Sequence, residues 1–169
     1  DFGTFPYVTS SNTISAGVCS GMGVAPQQIR EVIGITKAYC TRVGSGPFPT
    51  ELNDETGEQL RKIGNEFGAT TGRPRRCGWI DLVALRYACM INGVTKLVMT
   101  KADVLDSFEE LNVCTTYRFN GKESTEMPFQ MEKVRIEPVY KNFSGWKSNI
   151  SATKDFKELP VNMKLYIKF

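Results

Sequence analysis

The run Asn65-Glu66-Phe67-Gly68-Ala69-Thr70-Thr71-Gly72-Arg73-Pro74-Arg75-Arg76 sets three arginines, two threonines and two glycines together, with no acid after Glu66. These residue types hold anions. A guanidinium offers a planar fork of donors to a carboxylate or phosphate, threonine hydroxyls and backbone N–H groups add neutral donors, and glycine permits close approach of the main chain. The same composition also fits a solvated basic turn or a nucleic-acid contact.

A second candidate is Thr100-Lys101-Ala102-Asp103. At the carboxyl end of a strand an aspartate can accept two parallel hydrogen bonds from the N1–H and exocyclic amine of guanine, while a lysine stem lies along the purine face. Adenine lacks that donor pair. The bland alternative is that Asp103 caps the turn begun by Val104-Leu105-Asp106. A third is the hydroxyl-rich Thr9-Ser10-Ser11-Asn12-Thr13, which suits a polar ligand or ordinary turn chemistry equally.

Other chemistry is excluded. The 169 residues contain no histidine, so Ser-His and Cys-His nucleophile pairs are ruled out. The glycines at 17, 21 and 23 do not end in Gly-Lys-Ser/Thr, so they form no phosphate-binding P-loop. Five widely spaced cysteines without a CxxC pair read as reduced thiols of a cytoplasmic protein, with neither a zinc site nor a disulfide framework. A net charge of +3 is too small to require nucleic acid, and no apolar run reaches the roughly 18 residues of a membrane span.

The elements that must position these motifs follow from periodicity. Phe2 to Val8 reads as a short strand. Pro26 to about Arg42 carries apolar residues at three- and four-residue steps and reads as an amphipathic helix. Val43 to Glu51, rich in glycine and proline, is a shaped loop. Asp54 caps a helix reaching about Phe67, and Trp79 to Ile91 is a largely buried helix. Val94 to Met99 is a buried strand, so helix, Asn92-Gly93 turn and strand make an α/β unit. Asn112 to Phe119 and Lys122 to Met127 form a hairpin about Asn120-Gly121, Lys133 to Tyr140 alternates as a strand, and Phe143 to Leu159 is turn and loop. The closing Val161 to Phe169 is helix-like.

Taken in order, Val8 to Thr13, Thr41 to Glu51, Gly64 to Arg76 and Thr100 to Asp106 resemble the motifs of the adenylosuccinate synthetase family across essentially the whole chain. The resemblance implies an α/β fold with a P-loop NTPase-like central sheet, flanking helices and a small antiparallel β region, truncated at both ends. It implies GTP-dependent ligation of IMP and L-aspartate through 6-phosphoryl-IMP, with Mg²⁺, by a cytoplasmic homodimer that binds neither nucleic acid nor membrane.

Residue by residue, the resemblance makes Ala69, Thr70, Thr71, Gly72, Arg73, Pro74 and Arg75 the aspartate loop. It assigns Thr9, Val43 and Arg73 to IMP, and Arg75, Lys101, Ala102 and Asp103 to GTP. Many members have arginine where this chain has Pro74, which is expected to stiffen the loop. The family's phosphate loop, catalytic aspartate base, histidine and metal ligands would lie upstream of Asp1, and part of the guanine site beyond Phe169. The expectation is a single fragment over 1–169, inactive alone; the alternative is a stand-alone nucleotide- or nucleic-acid-binding module.

Overall fold

The computed structural model describes residues 3–7 and 11–169. In chain order, a short helix α1 (Gly17–Met22) and a 3-10 turn at Pro26–Gln28 lead into strands β1 (Ile33–Lys37) and β2 (Cys40–Arg42), followed by helix α2 (Glu55–Ile63). Next come β3 (Arg76–Gly78), β4 (Ile80–Asp81), helix α3 (Leu82–Asn92) and β5 (Lys96–Thr100). The remainder is β6 (Glu110–Phe119), β7 (Lys122–Ser124), β8 (Glu137–Ser144) and helix α4 (Val161–Lys168).

Three small sheets carry the fold. β1 and β5 pair in parallel from Ile33 opposite Lys96 to Lys37 opposite Thr100, so both strands end at the same level. β2 and β3 pair antiparallel, with Arg42 opposite Arg76. β6 is the spine of the third sheet, paired in parallel with β4 and antiparallel with β7 and β8. The result is the mixed α/β class expected.

Several expectations give way. The segment Pro26 to Arg42 is a 3-10 turn and two strands, not a helix. Val32, Ile33, Ile35 and Thr36 are β-branched and lose rotamer freedom in a helix, and Gly34 costs a helix about 1 kcal/mol. Pairing with β5 decides the matter: a Cβ on Gly34 would meet a Leu97 methyl at 2.9 Å, so the glycine lets the two strands close. Gly3 to Tyr7 are bends and turns where a strand was expected, in keeping with a segment interrupted by Gly3 and Pro6.

Other boundaries shift for local reasons. α2 stops at Ile63, because Asn65 adopts a left-handed φ of 50°. α3 begins at Leu82, since the Asp81 carboxylate accepts from the N–H groups of Val83 and Ala84 at 3.0 and 3.1 Å. It is also mostly half-buried, with only Val83 fully enclosed, because one face packs on β6 while Met90 stays exposed. β5 leaves Leu97 and Val98, on its two opposite faces, about half exposed where a buried strand was expected, because among the described residues β1 is its one strand partner and neither face is fully covered. β8 starts at Glu137 and continues through Phe143, past the expected turn.

The main core gathers Tyr39, Leu60, Cys77, Trp79, Leu105, Phe108, Leu111, Trp146, Met163 and Tyr166. Trp79 and Phe108 meet edge to face, their centroids 6.0 Å apart. The Tyr166 hydroxyl donates to the Ala38 carbonyl at 2.7 Å, tying α4 to the β1–β2 connection. Asn120 and Gly121 both have positive φ, as the Asn-Gly hairpin requires. All five cysteines are free thiols.

Candidate functional site

Lys37 closes β1, and Lys101 follows the last residue of β5 in a left-handed conformation with φ 56°. Parallel pairing therefore brings two ammonium groups to one edge of the sheet. Between them lies Glu66, fully buried just past the end of α2. Its Oε1 accepts from Lys37 Nζ at 2.8 Å, the Tyr39 hydroxyl at 2.5 Å and Lys101 Nζ at 3.0 Å. Its Oε2 accepts from Arg75 at 2.7 Å.

This cluster explains the state of the carboxylate. Burial alone would raise its pKa, but hydrogen bonds from Lys37, Tyr39, Arg75 and Lys101 outweigh burial and hold it down at about 2. Burial, then the Glu66 contact, pushes the Tyr39 phenol well above its ordinary range. Lys101 also donates to the Gly64 carbonyl at 2.6 Å. Gly64 is required for this approach, because a Cβ there would sit 2.3 Å from the Tyr39 hydroxyl oxygen.

The arginine run is a hairpin hung on this cluster. Phe67 and Pro74 face each other as an isolated antiparallel bridge. The Gly68 N–H donates to the Arg73 carbonyl at 2.8 Å, and the Arg75 N–H to the Glu66 carbonyl at 2.9 Å. Pro74 lies between these bonds, at a position that uses no N–H, so its missing donor costs the ladder nothing. The Gly72 N–H returns to the Gly68 carbonyl at 2.8 Å, with Gly72 at φ 65°.

Ala69, Thr70, Thr71, Gly72, Arg73 and Pro74 are all exposed at the tip. The three arginines differ in state. Arg76 is bound to both carboxylate oxygens of Glu51, at 2.6 and 2.5 Å, and donates to the Gly44 and Gly46 carbonyls. Arg75 is paired with Glu66, while Arg73 has no acidic partner among the described residues.

Arg76 also fixes the Gly-Pro-Phe-Pro loop, its guanidinium lying 5.5 Å from the Phe48 ring centroid. Val43 is exposed at the start of that loop, one residue beyond the Arg42–Arg76 pair. Thr9 lies outside the described residues. Ala102 packs against the core, whereas Asp103 is exposed and its carboxylate accepts no hydrogen bond among the described residues. The capping alternative for Asp103 is thus not realised.

Sequence reasoning missed Glu66 and the Lys37 and Tyr39 side chains that satisfy its buried carboxylate. A lone acid preceding a basic run was the available signal for Glu66. The lysine and tyrosine were hidden by the helical reading of β1 and β2.

The family model described as adenylosuccinate synthetase matches residues 1–169. The chain belongs to the adenylosuccinate synthetase family. The adenylosuccinate synthetase of Christiangramia forsetii is 59% identical over 169 residues, 100% of this chain and 40% of that protein. That of Flavobacterium johnsoniae is 57% identical over the same spans. A solved structure of fully ligated adenylosuccinate synthetase from Plasmodium falciparum superimposes with a TM-score of 0.94 at 46% identity, covering 99% of this chain and 41% of that one. The chain thus spans about 40% of the length of the curated adenylosuccinate synthetases it matches.

Among the described residues no three His, Cys, Asp or Glu side chains gather as a metal would require. The Mg²⁺ that the resemblance implies finds no such donor set in them. No described helix is long and apolar enough to cross a membrane.

Proposed function

We propose that this chain is the aspartate- and guanine-binding section of a GTP-dependent ligase that joins IMP and L-aspartate. One observation carries the reading: Arg75, from the exposed loop, and Lys101, from the strand end, meet on the single carboxylate of Glu66. Glu66 thereby links the hairpin that carries Arg73 to the strand end that precedes Asp103, which supports reading a dicarboxylate site and a base-reading site as joined through one carboxylate.

In the reaction, the γ-phosphoryl of GTP passes to the purine O6 of IMP, leaving GDP. The aspartate amine then attacks C6 and expels phosphate, giving adenylosuccinate. Arg73, with the Thr70 and Thr71 hydroxyls and the loop N–H groups, holds the aspartate carboxylates and orients the amine. Arg73 and the Val43 backbone, with Thr9, hold IMP. Arg75 faces GTP, and Asp103 accepts from the guanine edge beside Lys101 and Ala102. These residues bind and orient; the chain has no histidine to move a proton. The setting in a cytoplasmic homodimer rests on the family resemblance.

The test uses the full-length protein that carries this sequence. It should form adenylosuccinate only with GTP, IMP and aspartate together. Arg73→Ala should raise the KM for aspartate by about 10- to 100-fold, as expected for loss of a charge-assisted bidentate contact. An unchanged aspartate KM would refute the loop assignment. The isolated 169-residue chain should show no turnover, and any GTP-dependent consumption of IMP by it would refute that part.

A further inference from the structure

We infer that Glu66 is a positioning residue for the guanine nucleotide, its buried carboxylate fixing Arg75 and Lys101 together in their binding arrangement. The inference rests on the reading of Arg75 and Lys101 as GTP-binding residues.

The division of labour within Glu66 supports it. Its main chain holds the hairpin, since its N–H donates to the Arg61 carbonyl and its C=O accepts from the Arg75 N–H, both at 2.9 Å. Its side chain makes no hydrogen bond to any of residues 69–74. Among the described residues its hydrogen bonds run to Lys37, Tyr39, Arg75 and Lys101, and the last two are the cationic residues assigned to the nucleotide. Arg75 and Lys101 are about one-third exposed, so without an anchor both long side chains would sample many rotamers. With the anchor, the Lys101 ammonium is pinned between the Glu66 carboxylate and the Gly64 carbonyl, which restricts the rotamers of its aliphatic stem. Because the carboxylate itself is enclosed, it acts through these two side chains and not by touching the nucleotide.

The test is the kinetics of full-length Glu66→Gln, which keeps the side-chain volume and removes the charge. The KM for GTP should rise on the order of tenfold, while kcat at saturating GTP and the KM for IMP stay near their original values. Tyr39→Phe is the control, since it removes one hydrogen bond from the same carboxylate and leaves both nucleotide contacts in place. It should lower stability without moving the KM for GTP. A Glu66→Gln protein with a lower melting temperature and an unchanged or lower KM for GTP would overturn the inference, reducing Glu66 to a structural role. If the glutamine variant does not fold, Glu66→Asp draws the charge back by one methylene and is judged on the same GTP KM. Failure of the parent protein to use GTP at all would instead refute the ligase reading.

Discussion

Replacing Glu66 with glutamine should remove a stabilising contribution with a distinctive pH dependence. The carboxyl is held from its ordinary value of 4.5 down to about 2. A folded-state value below the unfolded one stabilises fully above pH 4.5, and the contribution is lost as pH falls toward 2. At about 1.4 kcal/mol per pH unit the displacement is worth roughly 3 kcal/mol. Lys37, Arg75 and Lys101 are 27%, 31% and 38% exposed, so water screens part of it and about 2 kcal/mol is expected. Urea unfolding of the full-length protein and its Glu66→Gln variant should show that gap at pH 7. The gap should narrow as pH drops below 4.5 and close near pH 2. A gap that stays constant through this window would show that the stabilisation does not come from the charge, and the account of the four-partner cluster would fail.

Other expectations concern single contacts. Asp103→Asn exchanges an acceptor for a donor opposite the guanine amine, so the preference for GTP over ATP should fall by about tenfold or more in competition kinetics; an unchanged preference would exclude base reading. Gly64→Ala places a methyl 2.3 Å from the Tyr39 hydroxyl oxygen and 2.8 Å from the Leu60 carbonyl oxygen, and should lower the urea midpoint by an amount equivalent to about 1–3 kcal/mol. Asp81→Ala removes the α3 cap and the buried partner of the Tyr117 hydroxyl together, and should cost about 2–3 kcal/mol in the same assay.

Elements whose signals are local were legible in the sequence. Asp54 with Glu55 and Glu58 marked the start of α2, Asn120-Gly121 marked the hairpin, and Val161 to Phe169 marked α4. β1 was not, because Ile29, Val32, Ile33 and Thr36 fit a helical stripe while Ile33 and Ile35 fit a strand. Its partner begins 63 residues later, and that long-range pairing decided between them. The site divides along the same line. The exposed tip around Arg73 could be read from residue types in one stretch. Glu66 could not, since its four partners arrive from β1, the β1–β2 connection, the hairpin and the end of β5. A buried acid acquires its meaning only when such separated cations converge on it.

Pro74 has a consequence for the disorder that binding must remove. Because the bridge position needs no N–H, the ring can restrict φ there without sacrificing a hydrogen bond. A proline accepted without strain reduces the freedom of the open chain by an amount worth about 0.4–1 kcal/mol. The same restriction acts next to Arg73 at an otherwise exposed tip, so the loop has less motion to surrender when it closes on a ligand. Proline at position 74 therefore lowers the loop's entropy without breaking a ladder hydrogen bond, and it does so without the guanidinium donors that an arginine there would add.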